Sequence, residues 1–494
     1  MLISHTGRLS RHGEQSWMAK GFVLLIAAIA ATSTIALNPG RGLSICVLVF
    51  SALIVLLEPR SAFVLIPVSV PFGSVVPLSL GSAAITPTDA MVASLLLAWM
   101  LTAGSRPAVR WKAWGVAALA LLAVMVLSTS QAISIVSSLR EIVKWLELLV
   151  LVCLTPVYLR RKSDVIPVLV AAALAATTEA LVGIGQSLLH MGPASFQIYG
   201  RFLRAYGTFG QPNPLSGYLN LMFAIAVGAW VALRRPMFLM AAGACALGTL
   251  LTFSRAGWAA WTVSAAVMLL LRVRPLRSWA GLTGVALLVL GLLLSFSVIP
   301  FSPFRRLAAS FGITAVNFHH YSHRNFSEVE RAAHWLAGVR MFAAHPLLGV
   351  GIGNYPEAYG RYHVGAFVDP LGHAHNYFIN IAAETGLLGL FAYTLFVTAG
   401  FWLAWRSFFH GRSPLSLGVA IGLVGVWVSS TFHNLFDVLY VHEIPALLGL
   451  LMGLLIAAVA IDEADAANTT RYHTTDLEPR HPHLSSTRLG ATES

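Results

Sequence analysis

The sequence has 494 residues, of which 57% are hydrophobic and 11% are charged, and its formal net charge is +12. Because a soluble globular chain carries about 25% charged residues, this composition excludes a cytosolic enzyme, a disordered protein and a coiled coil, and it predicts an all-α polytopic membrane protein. The basic residues lie in short groups between apolar runs rather than on one solvated face, so we expect no nucleic-acid partner.

The apolar runs, taken in chain order, predict a series of transmembrane helices. The first apolar run is predicted to be a span and not a cleavable signal, because no clear cleavage site separates it from the second run. Residues 1–20 before it are predicted to be a cytoplasmic N-terminus. Most runs approach the roughly 20 residues that a helix needs to cross a bilayer. The predicted spans are 21–37, 42–57, 61–80, 89–104, 113–128, 140–159, 164–189, 214–233, 236–253, 256–271, 278–299, 377–404, 415–432 and 445–461. Since Pro67, Pro71 and Pro77 interrupt the third run, which is then broken or re-entrant, we expect 12–14 transmembrane helices.

The basic residues also orient the predicted bundle. With the N-terminus inside, every short basic cluster between spans falls on the cytoplasmic side, as the positive-inside rule expects. Both termini are therefore predicted to be cytoplasmic. The resulting map contains an N-terminal transmembrane bundle (21–299), a long extracytoplasmic loop (300–376), C-terminal transmembrane helices (377–461) and a polar, disordered cytoplasmic tail (462–494).

An amphipathic helix is predicted inside the long extracytoplasmic loop. A capping-box pattern begins at Ser327, apolar residues then recur at helical spacing, and Pro346 ends the segment. We expect a helix at 328–345, at the outer surface, that carries Arg331, Trp335 and Arg340.

Two histidines just before the run 377–404 form the first candidate site. On a helix, Asn376, Asn380 and Glu384 would share one face, and the cost of a charge in the bilayer predicts that Glu384 faces the bundle interior or water. This stripe would order His375 at the mouth of a cavity. Histidine can act as a general base near neutral pH. The alternative is an interfacial histidine that only hydrogen-bonds its neighbours.

Two arginine segments lie at the same predicted face. Arg204 begins the segment RAYGTFGQPNP, and Arg255 lies in FSRAGW between two apolar runs. A guanidinium is a planar, permanently charged fork that matches phosphate oxygens. With His375, the two arginines therefore suit a phosphate-bearing lipid headgroup. For Arg255 the alternative is a snorkelling side chain at a helix end.

Two further patterns are weaker. His433 and Asp437 are one helical turn apart near the outer face and can pair with each other; we do not assign them to a metal site. The glycines from Gly349 to Gly353 resemble part of a nucleotide-binding loop, but the Lys-Ser/Thr and the βαβ context are missing. This segment is predicted to be a tight surface turn.

Four segments, in this order, resemble signatures of the O-antigen ligase/polymerase (Wzy-like) superfamily of bacterial membrane glycosyltransferases. RAYGTFGQPN and TFSRAGW resemble its arginine motifs, HPLLGVGIGNY resembles its Pro-Leu-x-Gly-Val-Gly segment, and HAHNYFINIAAETGLLG resembles its His-Asn…Glu-x-Gly-x-x-Gly signature. The resemblance covers about residues 200–390. It implies a GT-C-like helical bundle in the bacterial cytoplasmic (inner) membrane.

The resemblance also implies a chemistry. A glycan would pass from an undecaprenyl-diphosphate-linked donor to an acceptor hydroxyl on the extracytoplasmic face, without a metal, a cofactor or a nucleotide sugar. Direct displacement would invert the anomeric centre. By motif, His375 becomes the catalytic base and Arg204 and Arg255 become ligands of the diphosphate. The supporting residues are His373, Asn376, Glu384 and Arg331.

Several functions stay open at this point. A ligase would join the finished glycan to a glycan or lipid acceptor such as lipid A-core, whereas a polymerase would extend a lipid-linked O-antigen or exopolysaccharide with the same donor. A protein O-oligosaccharyltransferase is a third function. A small-solute transporter is disfavoured. Such proteins tend to show internal repeats with a binding site at the midplane, and no internal repeat is apparent in this sequence.

Overall fold

The computed structural model describes residues 39–80, 83–102, 113–198, 200–273 and 326–475, with short pieces at 278, 280–286, 289 and 318. The helices of these ranges are α1 (Pro39–Leu57), α2 (Ser61–Phe72), α3 (Pro87–Leu101), α4 (Ala113–Ser128), α5 (Ile135–Tyr158), α6 (Lys162–Leu188), α7 (Pro212–Leu233), α8 (Pro236–Leu251), α9 (Arg255–Arg272), α10 (Phe326–Ala344), α11 (Tyr355–Tyr362), α12 (Tyr377–His410), α13 (Pro414–Asn434) and α14 (Ile444–Thr475). Two short antiparallel hairpins pair β1 (Leu78–Leu80) with β2 (Ala83–Ile85) and β3 (Gln197–Ile198) with β4 (Phe202–Leu203).

The all-α polytopic membrane fold predicted from composition is confirmed. Within the described ranges, six helical segments are long and apolar enough to cross a membrane, namely Trp114–Gln131, Lys162–Leu188, Pro212–Leu233, Tyr377–His410, Pro414–Asn434 and Ile444–Ala467. Shorter apolar helices are Arg41–Leu57, Ser61–Phe72, Pro87–Leu101 and Pro236–Leu251. Each predicted span within the described ranges overlaps a helix, although the helix in the predicted span 61–80 ends at Phe72. The predicted span 21–37 lies outside the described residues, as does most of 278–299.

The prolines of the third predicted span shorten its helix. Helix α2 contains Pro67 and Pro71 and ends at Phe72, after 12 residues. A proline lacks the backbone N–H that an interior helical position donates. The chain then continues through a 3₁₀ turn, Gly73–Val75, into the β1–β2 hairpin, so the interruption expected from the sequence is present.

Local sequence also determines where several helices begin. Proline occupies the first position of α3, α7, α8 and α13, where its missing N–H has no intrahelical partner in any case. At α3, Thr86 Oγ1 accepts from Asp89 N at 3.3 Å and Asp89 Oδ2 accepts from Thr86 N at 2.7 Å. This reciprocal capping box satisfies two donors that the first helical turn leaves unpaired.

Small residues allow the central helices to approach closely. Helix α13 packs against α7, α9 and α12, and α14 packs along α5. A Cβ atom added at Gly228 of α7 would lie 2.4 Å from the carbonyl oxygen of Gly418 on α13. Membrane helices commonly use small residues at such contacts. Helices α7 and α13 therefore form a closely packed pair within the bundle.

Helix α12 is broken at Gly386, which has φ 66° and ψ −160°. Backbone groups freed by such a break must find other partners. The carbonyls of Ala383 and Glu384 accept from Val350 N and Gly351 N, both at 2.9 Å. The break in α12 therefore fixes the segment that runs from Pro346 to α11.

The glycine-rich segment is a tight turn, but the prediction that it lies at the surface is wrong. Val350 is 4% exposed and Ile352 is fully buried. Gly349, Gly351 and Gly353 all have positive φ. A Cβ at Gly349 would lie 2.3 Å from the backbone of Glu384, so the segment is buried because it must contact the broken part of α12.

The C-terminal helix is longer than its apolar run. Helix α14 continues to Thr475, so the prediction of a disordered tail from residue 462 is wrong for 462–475. Asp462 is 7% exposed, and its Oδ2 accepts from the backbone N–H groups of Arg412 and Ser413 at 3.0 and 2.9 Å. These bonds to the start of α13 hold the polar continuation of the helix in place.

Candidate functional site

His375 and Asp437 meet where α12 begins and α13 has just ended. His375 Nδ1 lies 3.3 Å from Asp437 Oδ1, and His373 Nε2 lies 3.9 Å from the same oxygen. Asp437 is 5% exposed. We call these three residues the histidine–aspartate cluster.

The electrostatics of this cluster determine the tautomer of His375. Burial raises the pKa of Asp437, but the hydrogen bond from His375 and the charges of His375, His373 and Arg331 outweigh it, so the pKa lies well below its usual range. A carboxylate only accepts hydrogen bonds, and His375 Nδ1 must therefore carry the proton. His375 Nε2 is buried and has no hydrogen-bond partner in the described part of the chain. An imidazole with one nitrogen oriented by a carboxylate and a lone pair on the other can act as a general base.

The backbone of His375 is held in an uncommon conformation. Its φ is +53°, a region that costs free energy for a residue with a side chain. Its N–H donates to His373 Nδ1 at 3.1 Å, and its carbonyl accepts from Trp335 Nε1 at 3.2 Å. The preceding N–H, of Ala374, donates to Asn380 Oδ1 at 3.0 Å. These three bonds fix the direction in which the imidazole points.

Arg204 is connected to the same cluster through Asn213. Arg204 Nη2 donates to Asn213 Oδ1 at 3.0 Å, and Asn213 Nδ2 donates to Asp437 Oδ2 at 2.7 Å. Arg204 Nε donates to the carbonyl of Thr252 at 2.8 Å. Within the described ranges, Nη1 is the guanidinium nitrogen of Arg204 that makes no hydrogen bond. The guanidinium is thus positioned by two bonds and still presents donors.

Several positive charges converge at this end of the bundle. Burial, together with the charges of Arg331 and Arg255, lowers the pKa of Arg204 to about 10, although Asp437 opposes this shift. Arg255 is the first residue of α9 and follows the N-cap residue Ser254. The candidate base and both candidate diphosphate ligands therefore lie at one end of the helix bundle, where an anion would be attracted by all of these groups.

Helix α10 confirms the helix predicted at 328–345 and contributes a histidine that the sequence analysis did not select. His334 is fully buried. Its ring stacks on Tyr359 with 4.7 Å between centroids and lies 5.6 Å, edge to face, from the ring of His375. The helical spacing of His334 from Arg331 and its adjacency to Trp335 were the signals that could have identified it.

Acidic pH is expected to destabilise the folded protein through protonation of His334 and His373. Burial lowers the pKa of His334 to about 4 and that of His373 to about 4, whereas an unfolded histidine has a pKa of about 6.5. Below about pH 6.5 these histidines are protonated in the unfolded chain but remain neutral in the folded chain. The free energy of unfolding therefore decreases as the pH falls toward 4. The melting temperature in detergent should fall between pH 7 and pH 5. The variant His334→Asn should show a smaller fall, and an equal fall would show that protonation of His334 does not contribute.

Two residues of the predicted polar stripe, Asn380 and Glu384, lie on α12, and the third, Asn376, is the N-cap residue of that helix. Asn376 Nδ2 donates to the carbonyl of Leu435 at 2.9 Å, which ties the start of α12 to the segment that carries Asp437. Asn380 accepts from the loop before His375. Glu384 is 4% exposed and accepts from Tyr355 N at 3.0 Å. Glu384 thus faces the bundle interior, and each member of the stripe orders a different piece of backbone around the site.

One face of α6 positions the loop that carries Arg204, and the sequence analysis missed it. Glu179 Oε1 accepts from Thr208 N at 2.7 Å. Gln186 Oε1 accepts from Gly207 N at 2.7 Å, and Gln186 Nε2 donates to the Gly207 carbonyl at 3.1 Å. Residues seven apart share one helical face, so two polar residues at this spacing in an apolar helix were the available signal.

The expected pairing of His433 with Asp437 is not formed. Helix α13 ends at Asn434, so Asp437 does not lie one turn further along the same helix. Its carboxylate instead contacts His375 and Asn213. Both ring nitrogens of His433 are buried without a hydrogen-bond partner among the described residues. Asp437, which the sequence analysis placed in a minor group, is the residue that connects the site.

The donor set of the cluster is also compatible with a metal ion. His373, His375 and Asp437 offer ligand atoms that lie within 4.8 Å of one another, and Asp89, Glu147 and Glu443 form a second such group. Imidazole nitrogens and carboxylates are zinc ligands. A metal in the first group would have to replace the direct bond between His375 and Asp437, so chelation distinguishes the two arrangements.

Comparison with known proteins identifies one part of the chain. Residues 238–394 match the family model described as O-antigen ligase. No curated protein matches the chain. The resemblance to the O-antigen ligase/polymerase superfamily is therefore confirmed over this range, which contains Arg255, Arg331 and His375. Arg204 and Asp437 lie outside the matched range.

Proposed function

We propose that the chain is a membrane glycosyltransferase of the O-antigen ligase type, which transfers a glycan from undecaprenyl diphosphate to an acceptor hydroxyl on the extracytoplasmic face. This reaction belongs to the biosynthesis of lipopolysaccharide or another cell-surface polysaccharide. The observation that carries the proposal is the pairing of His375 with Asp437, which leaves Nε2 of His375 as a proton acceptor, while Asn213 connects the same carboxylate to Arg204. The family match over 238–394 supports the same class of enzyme.

In this proposal, His375 activates the acceptor. A hydroxyl is a poor nucleophile until a base takes its proton. Nε2 of His375 accepts that proton while the hydroxyl oxygen forms its bond to the anomeric carbon of the glycan. Asp437 then stabilises the imidazolium through the hydrogen bond at Nδ1, as an orienting carboxylate does in other His-assisted transfers.

The arginines stabilise the leaving group. The bond between the anomeric carbon and the diphosphate oxygen breaks as the new glycosidic bond forms, so negative charge develops on the diphosphate. Preorganised cationic donors stabilise such charge most effectively where water is excluded. Arg204, Arg255 and Arg331 supply these donors, and direct displacement on the face opposite the diphosphate inverts the anomeric centre.

An in vitro transfer assay tests the function. The purified full-length protein, given an undecaprenyl-diphosphate-linked oligosaccharide and a lipid acceptor, should form the glycosylated acceptor and release undecaprenyl diphosphate. Addition of EDTA should leave this rate unchanged, because protein groups perform the proton transfer. Loss of activity that zinc restores would show that the reaction needs a metal, for which the histidine–aspartate cluster and the group of Asp89, Glu147 and Glu443 are the candidate sites. Extension of the donor glycan without transfer to the lipid acceptor would identify a polymerase instead.

Replacing Arg255 with lysine is expected to weaken donor binding about tenfold or more, since a lysine cannot reproduce the two-pronged contact with phosphate. The donor KM of the transfer reaction measures this. Arg201→Lys provides a matched control, because Arg201 is exposed on the preceding outer segment and should leave KM unchanged. An unchanged donor KM in Arg255→Lys would favour a snorkelling side chain.

A further inference from the structure

The helix bundle also has a cavity at the end opposite to His375. This cavity of about 700 Å³ opens between the C-terminal ends of α7, α9 and α12 and the N-terminal end of α13. The same four helices carry or adjoin the histidine–aspartate cluster and its arginines at their other ends. Helix α7 has 22 residues, so the cavity and the cluster are separated by about 33 Å along its axis. The cavity therefore cannot take part in glycan transfer at His375.

The cavity combines an apolar wall with a basic rim. Its wall includes Leu271, Phe408 and Leu417, and its rim includes Arg234, Arg272 and Arg412. No acidic residue of the described chain lines the cavity.

The three rim arginines are not neutralised by the described part of the chain. No carboxylate of the described residues forms an ion pair with Arg234, Arg272 or Arg412. Asp462 contacts the backbone N–H of Arg412 and not its guanidinium. The rim is thus a cluster of positive charge beside an apolar surface, where α7, α9 and α12 end and α13 begins.

We propose that this cavity binds an anionic glycerophospholipid. The guanidinium groups of Arg234, Arg272 and Arg412 bind the phosphate and headgroup, since arginine presents a fork that matches phosphate oxygens. One acyl chain lies along Leu271, Phe408 and Leu417. Basic pockets between transmembrane helices bind anionic lipid headgroups by the same combination of charge and apolar contact. This proposal is independent of the proposed glycan transfer.

Lipid binding to the purified full-length protein in a zwitterionic detergent tests the proposal. Native mass spectrometry should show phosphatidylglycerol bound at least about tenfold more tightly than phosphatidylcholine. One basic residue near a membrane surface contributes about fivefold to binding of an anionic lipid. Arg272→Gln should therefore weaken phosphatidylglycerol binding about fivefold, and the triple variant Arg234→Gln/Arg272→Gln/Arg412→Gln about 100-fold.

Two further variants make the result specific. Arg406→Gln removes a charge from the same end of α12 but from a residue that does not line the cavity, and it should bind phosphatidylglycerol as the wild type does. Leu417→Trp places a larger side chain in the apolar part of the cavity without changing the charge, and it should also weaken phosphatidylglycerol binding. This variant tests the proposal even if the triple variant does not insert into the membrane. Equal binding of both lipids by the wild type, wild-type affinity in Arg272→Gln, or tighter binding of undecaprenyl phosphate than of phosphatidylglycerol would each overturn the proposal.

Discussion

Replacing His375 with alanine is expected to lower the rate of glycan transfer by about 100-fold to 10,000-fold while the protein still inserts into the membrane. This range is what a positioned general base contributes to a reaction. The loop should keep its shape, because its position depends on backbone bonds such as that from Ala374 N to Asn380. The test compares the initial rates of wild type and His375→Ala with saturating donor and acceptor. Both proteins should be equally monodisperse after purification.

A second substitution at the same position separates catalysis from structure. His375 has a positive φ, which asparagine tolerates better than alanine. His375→Asn can still donate a hydrogen bond to Asp437 but cannot accept a proton at pH 7, so it should be as inactive as the alanine variant and more stable. His345→Ala, at an exposed loop histidine, should retain full activity. Substantial activity in His375→Asn would remove His375 from the role of base.

Replacing Asp437 with asparagine is expected to lower the rate by about 100-fold or more, comparable with loss of the orienting carboxylate in other His-dependent enzymes. The carboxylate accepts from His375 Nδ1 on one oxygen and from Asn213 Nδ2 on the other. An asparagine side chain has one carbonyl oxygen and one NH₂ group. In either orientation its NH₂ group therefore faces a donor, either Nδ1–H of His375 or the NH₂ group of Asn213. If the amino group faces His375, the ring adopts the other tautomer and Nε2 carries the proton, which abolishes its function as a base.

The pH dependence of Asp437→Asn distinguishes a positioning role from a purely structural one. Loss of the neighbouring negative charge disfavours the imidazolium of His375, so the acidic limb of the pH–rate profile should move to lower pH as the rate falls. Asp462→Asn is a matched control, since Asp462 is 7% exposed, against 5% for Asp437, and lies at the other end of α13. It should lower stability and leave the profile in place. A lower rate in Asp437→Asn with an unshifted profile would indicate that Asp437 only supports the fold.

The helices were predictable because their determinants are local. An apolar run near the length of a bilayer crossing, a proline at the first helical position and a capping residue before it act within a few residues of each other. Each predicted span in the described ranges accordingly overlaps a helix, and α10 begins within two residues of its predicted start. The prediction of a disordered tail was wrong for 462–475, because the bonds from Asp462 to the start of α13 join residues about 50 positions apart.

The candidate site was predictable in its chemical groups and not in its connections. His375, Arg204 and Arg255 could be selected because imidazole and guanidinium are rare in apolar sequence and have defined chemistry. Asp437 was assigned to His433 on helical spacing, but α13 ends before Asp437 and the carboxylate turns to another helix. The glycines around Gly351 were assigned to the surface, since no local signal shows that the broken α12 needs donors at that point.

The sequence by itself therefore determined the all-α membrane fold, the approximate positions of the described helices and the kinds of group that reach one end of the bundle. Only the tertiary structure decided that Asp437 lies between His375 and Asn213, that Glu384 holds the backbone of Tyr355, and that Arg234, Arg272 and Arg412 surround one cavity. The physical reason is that helix formation depends on neighbours in sequence, whereas a buried polar group must bond to whichever distant segment the packing brings within reach.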